Sequence, residues 1–362
     1  MRKNQQPVNY ADYLQLDKLL AAQQPESIKY GEEAHDETLF IIIHQVYELW
    51  FKQILHELMA VITVFKNSKV KDQELSLVVH RLERICVIQK LLNEQIQILE
   101  TMTPQDFLSF RDYLIPASGF QSIQFKVLEI TLGLKRQFRI EDDKQSFLSR
   151  LSNPQRAHLT ELENQPSLFE LVDDWLSRMP FLQMDDFDFW QLYSQATSTM
   201  LESDRMIIQT NNQLTEVERM KELAILDETA DNFAALLDVE KYQVVLTTGQ
   251  FRLSHKAMLA ALFIKQYSEE PAFNLAHQLI QKLTQIDENL TLWRYRHAMM
   301  VQRMLGTKIG TGGSSGHDYL KRTTEANRIF TDFFNMSTFL LPKAVLPQLP
   351  ESIRKKLGFY LS

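Results

Sequence analysis

The chain has 362 residues, 44% of them apolar and 23% charged, with a net charge of −7, one Cys, 10 Gly and 11 Pro. That balance disfavours a dedicated nucleic-acid binder, which carries a basic face, and a single Cys excludes a disulfide scaffold or a Cys-rich metal site and suits a reducing cytoplasm. Gly and Pro together reach about half their usual share, so a sheet-rich fold with many tight turns is disfavoured and long helices with few loops are expected.

The N-terminal run Met1-Arg2-Lys3-Asn4-Gln5-Gln6-Pro7 has basic residues but no apolar stretch behind them, so no signal peptide is expected. Residues 36–66 carry Leu39, Phe40, Ile43, Tyr47, Trp50, Phe51, Ile54, Leu55, Leu58 and Ile62, a stripe wide enough for a helix buried on most sides. Its apolar run Leu39 to Ile43 is too short to span a bilayer. A second helix follows over 72–100. Thr103-Pro104-Gln105-Asp106 then reads as an N-cap, a Pro at the first helical position and an acid at the third. Pro116-Ala-Ser-Gly119 ends that helix, and another runs from Phe120 toward Lys135.

From 137 to 235 the segments are shorter, more acidic and broken by Pro154, Pro166 and Pro180. This reads as an accessory helical insertion into one discontinuous unit, residues 1–136 with 236–362. Helical periodicity resumes over 239–267 and 271–305. Five of the ten glycines then fall between Gly306 and Gly316. No internal repeat or coiled-coil heptad run appears.

Candidate chemistry rests on few residues. His44 and His297 are each the polar member of an otherwise apolar helical stripe. The plain reading is a hydrogen-bonded core imidazole; the functional one is a cofactor between two helices held by one His, the haem arrangement. Other metal sites are poorly supported: there is no His-Glu-x-x-His, and Glu32-x-x-His35 stands alone. Cys86 sits on an apolar stripe and reads as packing. The Gly-rich run lacks the Gly-Lys-Ser/Thr ending and preceding strand of a phosphate loop; a flexible linker and a loop over a ligand both remain open. Arg111 shares a helical face with Phe107, four residues earlier. It is either a basic residue answering the helix dipole or a guanidinium fork for a carboxylate beside an aromatic wall.

Seven blocks, read together, closely resemble the tryptophan 2,3-dioxygenase family. They are Tyr10-Ala-Asp-Tyr13-Leu-Gln-Leu-Asp17, the run from His35 through Phe40 and His44 to Leu55, Leu99-Glu-Thr-Met-Thr-Pro104, Phe110-Arg111-Asp-Tyr-Leu114, Pro116-Ala-Ser118-Gly119-Phe-Gln-Ser122, Arg296-His297-Ala-Met-Met-Val-Gln-Arg303 and Gly310-Thr311-Gly-Gly-Ser-Ser-Gly316. They occur in the family's order, while 137–290 matches only in helical character.

The resemblance implies an all-α long-helix bundle with haem b between helices, a homotetramer built as a dimer of dimers, and oxidation of L-tryptophan by O2 to N-formyl-L-kynurenine. It implies His297 as the axial ligand of a ferrous haem iron, with Trp293, Ser118 and Gly119 beside the cofactor. His44 would face the indole N–H as the catalytic distal residue, with Phe40, Ile41, Ile42 and Ile43 forming the substrate-side stretch of its helix. Phe107 would line the pocket, Arg111 would clamp the carboxylate and Thr311 would contact the amino-acid end. Tyr10 and Tyr13 would reach a neighbouring subunit's site. Several bacterial members carry Tyr where this chain has Phe107, so a phenol hydrogen bond to the carboxylate is missing here. The resemblance makes the glycine-rich loop a substrate lid. A non-catalytic haem sensor or carrier, with His44 as a second axial ligand, is the competing reading; a cofactor-free helical scaffold is another.

Overall fold

The computed structural model describes residues 7–67, 69–139, 141, 147–148, 151–179, 187–306 and 316–357, with the side chains of 316–319 and 356 left aside. Among them the regular structure is helical, with no strand, as expected for an all-α chain. In order the helices are α1 (Tyr10–Leu14), α2 (Leu16–Leu20), α3 (His35–Phe65), α4 (Asp72–Leu99), α5 (Pro104–Arg111), α6 (Ile123–Leu132), α7 (Asn153–Glu163) and α8 (Leu168–Ser177). They continue as α9 (Phe189–Thr210), α10 (Glu216–Leu237), α11 (Val239–Thr247), α12 (His255–Gln266), α13 (Asn274–Leu305), α14 (Gly316–Ala326), α15 (Thr331–Asn335) and α16 (Glu351–Leu357). None of the described helices is long and apolar enough to cross a membrane.

Three helices of 31, 28 and 32 residues, α3, α4 and α13, form the frame. α4 packs along both of the others, and its wide stripe from Leu75 to Leu99 is buried between them. α6 lies on α3, and α14 lies on α13. Burying one apolar face per helix in this way is what stabilises long helices in water.

Local signals set the helix ends near the site. At α5 the Thr103 hydroxyl accepts from the Asp106 N–H at 3.2 Å and the Asp106 carboxylate accepts from the Thr103 N–H at 3.0 Å, a reciprocal capping box with Pro104 at the first position. α6 begins at Ile123, later than Phe120, because Ser122 caps it, its hydroxyl accepting from the Phe125 N–H. It stops at Gly133, whose φ of +132° disfavours a side chain and where a Cβ would lie 2.7 Å from that of Phe169.

The periodicity over 239–267 reads as one helix, but the structure has two. Gly249 adopts φ +75° and Ser254 caps α12, while the Arg252 and Leu253 N–H groups donate to the buried Asp332 carboxylate at 2.7 and 2.6 Å. That tertiary contact has no local signature. Within the 137–235 stretch, Leu168, Phe169, Val172, Trp175 and Leu176 of α8 join the main core, whereas Phe147, Leu151 and Leu159 form a small cluster with Ile130.

Candidate active site

A cavity of about 350 Å3 opens between α3, α5, the 118–125 stretch, α13 and Leu320 and Thr323 of α14. Both histidines singled out in the sequence border it from opposite helices.

His297 comes from the last third of α13. Its ring is parallel to that of Trp293, one turn earlier, with an interplanar angle of 4° and centroids 5.2 Å apart. Neither ring nitrogen has a hydrogen-bond partner among the described residues. Burial, and secondarily the nearby His44, push its pKa down to about 4, so it is a neutral imidazole at neutral pH with a lone pair to offer. No group of three His, Cys, Asp or Glu among the described residues is arranged to hold a bare metal ion.

His44 stands on α3, and its surface opens onto the cavity. Its Nδ1 is 2.7 Å from the Phe40 carbonyl oxygen. A carbonyl can only accept, so Nδ1 carries the hydrogen and Nε2 is left as an acceptor. Burial lowers the pKa of His44, opposed by the Phe40 carbonyl and the Glu48 carboxylate.

An aromatic wall adjoins it. The Phe40 ring centroid is 4.1 Å from that of His44, 5.7 Å from Phe107 and 5.6 Å from Phe110, and Phe107 and Phe110 meet at 87°. Phe110 is fully buried and seats α5 in the core, which leaves Phe107 and Arg111, on the adjoining helical face, to line the cavity. Arg111 is the last residue of α5 and brings a permanent positive charge to this wall.

Ser118 and Gly119 border the cavity too, in a turn held by a bond from the Ser118 N–H to the Gln121 side-chain oxygen at 3.1 Å. Ile43 also lines the cavity, but Ile41 and Ile42 do not, and Ile42 is exposed. Tyr10 and Tyr13 are away from it, 74% and 75% exposed. Thr311, and the glycine-rich loop read as a lid, lie outside the described residues. Cys86 is fully buried and its thiol pKa is pushed up to about 12 by burial, so it is inert packing.

The structure adds walls that sequence reasoning passed over. Tyr47 and Phe51 continue the His44 stripe, and Phe125 packs 5.0 Å from Trp293; the i+3 and i+7 spacing from His44 was the available signal for the first two. Glu129 also borders the cavity, and its buried carboxylate accepts from Arg139 at 2.8 Å and from Arg294 at 2.7 Å, which holds its pKa down to about 2 against the burial that opposes it. Glu129 and Arg294 are 165 residues apart in the chain, so no local pattern announces the pair.

The site therefore offers a neutral nitrogen ligand on one wall, a hydrogen-bond acceptor with an aromatic slot on another, and a guanidinium at one end. Comparison of the whole chain with known proteins gives its family. The tryptophan 2,3-dioxygenase family model matches residues 1–340. A tryptophan 2,3-dioxygenase of Alteromonas mediterranea is 66% identical over 361 residues, covering all of both chains. That of Bdellovibrio bacteriovorus is 48% identical over 98% of this chain and 99% of its own. That of Mus musculus is 42% identical over 96% of this chain and 86% of its own. On this agreement along its full length, the chain belongs to the tryptophan 2,3-dioxygenase family.

Proposed function

We propose that the cavity binds haem b through His297 and holds L-tryptophan against it for cleavage of the indole C2–C3 bond by O2, giving N-formyl-L-kynurenine. The dioxygenase activity is that of the family; the assignment to residues rests on one observation. A neutral imidazole without a protein partner among the described residues, an acceptor imidazole and an arginine share one cavity with aromatic walls.

The residues present fit haem. His297 provides an unprotonated nitrogen, and Trp293, Val301 and Phe125 provide an apolar surround, while Ser118 and Gly119 border the same space. Ferrous haem supplies O2 binding and the oxygen-transfer chemistry when bound. The chain's own residues do the rest. Arg111 binds the substrate carboxylate with two N–H donors, fixing position and angle. Phe40 and Phe107 hold the indole plane, and the missing phenol at Phe107 leaves Arg111 as the carboxylate's donor on α5. Nε2 of His44 accepts from the indole N–H.

The product keeps the nitrogen's hydrogen as a formamide N–H, and tryptophan plus O2 has the same atoms as N-formylkynurenine. No proton has to leave the site overall. His44 is thus an orienting acceptor and need not act as an obligatory base. A sensor or carrier would have no use for Arg111 beside an aromatic slot.

Around this core, Thr311 contacts the substrate's amino-acid end, Ile41 and Ile42 shape the substrate side of the distal helix indirectly, and the working enzyme is a homotetramer, a dimer of dimers. The exposed Tyr10 and Tyr13 suit a role in a neighbouring subunit's site. Residues 137–235 are accessory to the catalytic unit of 1–136 and 236–362, and of that stretch Arg139 and Phe147 reach the cavity. A cytoplasmic location fits the single reduced Cys86. Aerobic incubation of haem-loaded, reduced protein with L-tryptophan is expected to yield N-formyl-L-kynurenine, and its absence with haem fully bound would overturn the proposal.

A further inference from the structure

Glu48 borders the cavity one turn beyond His44 on α3, and the reaction as described does not use it. Its carboxylate accepts from the Ser122 hydroxyl at 2.5 Å and from the Gln124 amide at 2.8 Å. The same Gln124 amide donates to the Glu48 backbone carbonyl at 2.8 Å. No cation pairs with Glu48 among the described residues, so a half-buried charge is met here by neutral donors. Such a charge costs desolvation and is not explained by ion pairing.

The partners show what the contact does. Ser122 caps α6, and its N–H donates to the Gly119 carbonyl at 3.1 Å, while the Gln121 N–H donates to the Ser118 carbonyl at 2.9 Å. A continuous hydrogen-bonded path thus runs from α3, through Glu48 and Ser122, to Gly119. It joins the wall that carries His44 to the wall that carries Ser118 and Gly119.

We propose that Glu48 is a positioning residue for the reaction, a strut that fixes the separation of the two distal walls of the cavity through Ser122. This rests on the reading of the cavity given above. Without the strut the Arg111 clamp still binds tryptophan, but His44 and the 118–119 turn no longer hold one mutual geometry.

The test uses the full-length, haem-loaded protein with Glu48→Ala, Glu48→Gln, Ser122→Ala and the Glu48→Ala/Ser122→Ala double variant. Glu48→Ala is expected to lower kcat about 10- to 100-fold, the scale of a misplacement near 1 Å, with the tryptophan KM within about threefold of wild type. Ser122→Ala is expected to show the same split, and the double variant to lose no more than the worse single variant. Glu48→Gln is expected to recover part of kcat, since its oxygen still accepts from the Ser122 hydroxyl that carries the strut.

The C–O stretching band of the ferrous carbonyl adduct is a readout free of turnover: one narrow band in wild type and Glu48→Gln, several or a broadened one in Glu48→Ala. An unaltered band with unaltered kcat in Glu48→Ala, or additive losses in the double variant, would overturn the strut. If Glu48→Ala fails to fold, Glu48→Asp, which keeps the carboxylate and the Ser122 cap of α6 but draws the carboxylate back by one methylene, decides the matter by the same kcat and band readouts: wild-type values for both would overturn the strut. Wild type that binds haem and makes no N-formylkynurenine would instead refute the reading on which the strut rests.

Discussion

The Nδ1 of His44 lies 2.7 Å from the carbonyl oxygen of Phe40, one turn earlier on the same helix. The contact fixes the tautomer, because only a protonated Nδ1 can satisfy a carbonyl, and it presents Nε2 as an acceptor. Burial lowers the pKa of His44 from its ordinary 6.5. An acceptor role needs the neutral form, which is lost as pH falls through the lowered pKa. The kcat/KM for tryptophan is therefore expected to stay level through neutrality and to decline only below the ordinary histidine range. His44→Ala should remove that acid limb and lower kcat/KM by about tenfold, the worth of one hydrogen bond of about 1 to 1.5 kcal/mol. The pH profile of kcat/KM for both proteins checks this.

Arg111 closes α5 on the cavity wall, and its effect should fall on tryptophan binding while the cofactor stays. Losing a buried, charge-assisted fork costs about 2 to 5 kcal/mol. Arg111→Ala is expected to keep haem and raise the tryptophan KM by one or more orders of magnitude, and Arg111→Lys, which loses the planar fork, should lie between. Steady-state kinetics with a haem spectrum of each variant separate these outcomes. An unchanged KM would remove Arg111 from the carboxylate site.

His297 makes no hydrogen bond among the described residues and stacks on Trp293, so its truncation removes a ligand while leaving the helix ladder intact. His297→Ala is expected to lose haem, keep wild-type helical circular dichroism, and regain part of the pigment with added imidazole. Soret absorbance per protein after haem reconstitution is the measurement. Full haem content without imidazole would refute the axial assignment.

Much of the frame was legible in the sequence because it is periodic. The stripes of α3, α4 and α13 read at 3.6 residues, and the Thr103-Pro104 signal acts within a few residues of the helix start it sets, whereas the stop at Gly133 falls short of the Lys135 toward which the sequence pattern runs. His44 and His297 stood out as polar members of apolar stripes, although spacing by itself did not separate a ligand from a satisfied core imidazole. The break between α11 and α12, the strut from Glu48 to Ser122 and the Glu129 bridge were not legible. Each depends on partners 74 to 165 residues apart, such as Ser122 with Glu48 or Arg294 with Glu129, and pairing at that range is set by packing.

Glu129 shows how such a long-range contact bears on stability. It is 4% exposed and bridges Arg139 to Arg294, and Arg294 lies three residues before His297 on α13. Two guanidinium groups hold its pKa at about 2, against an ordinary 4.5. A depressed carboxylate contributes stability above its unfolded pKa and loses it as pH falls through the folded one, because the unfolded chain takes up the proton first. The window is thus pH 4.5 down to about 2, and the contribution at neutral pH is on the order of 3 kcal/mol by the conversion of about 1.4 kcal/mol per pH unit. Glu129→Gln keeps the shape but leaves two buried cations facing a neutral amide, and it should lower neutral-pH stability by a comparable amount. Denaturant unfolding at a series of pH values is expected to show wild type losing its advantage over Glu129→Gln across that window, the two curves converging toward pH 2. Parallel curves over the whole range would mean that the carboxylate's charge is not what holds α6 to α13.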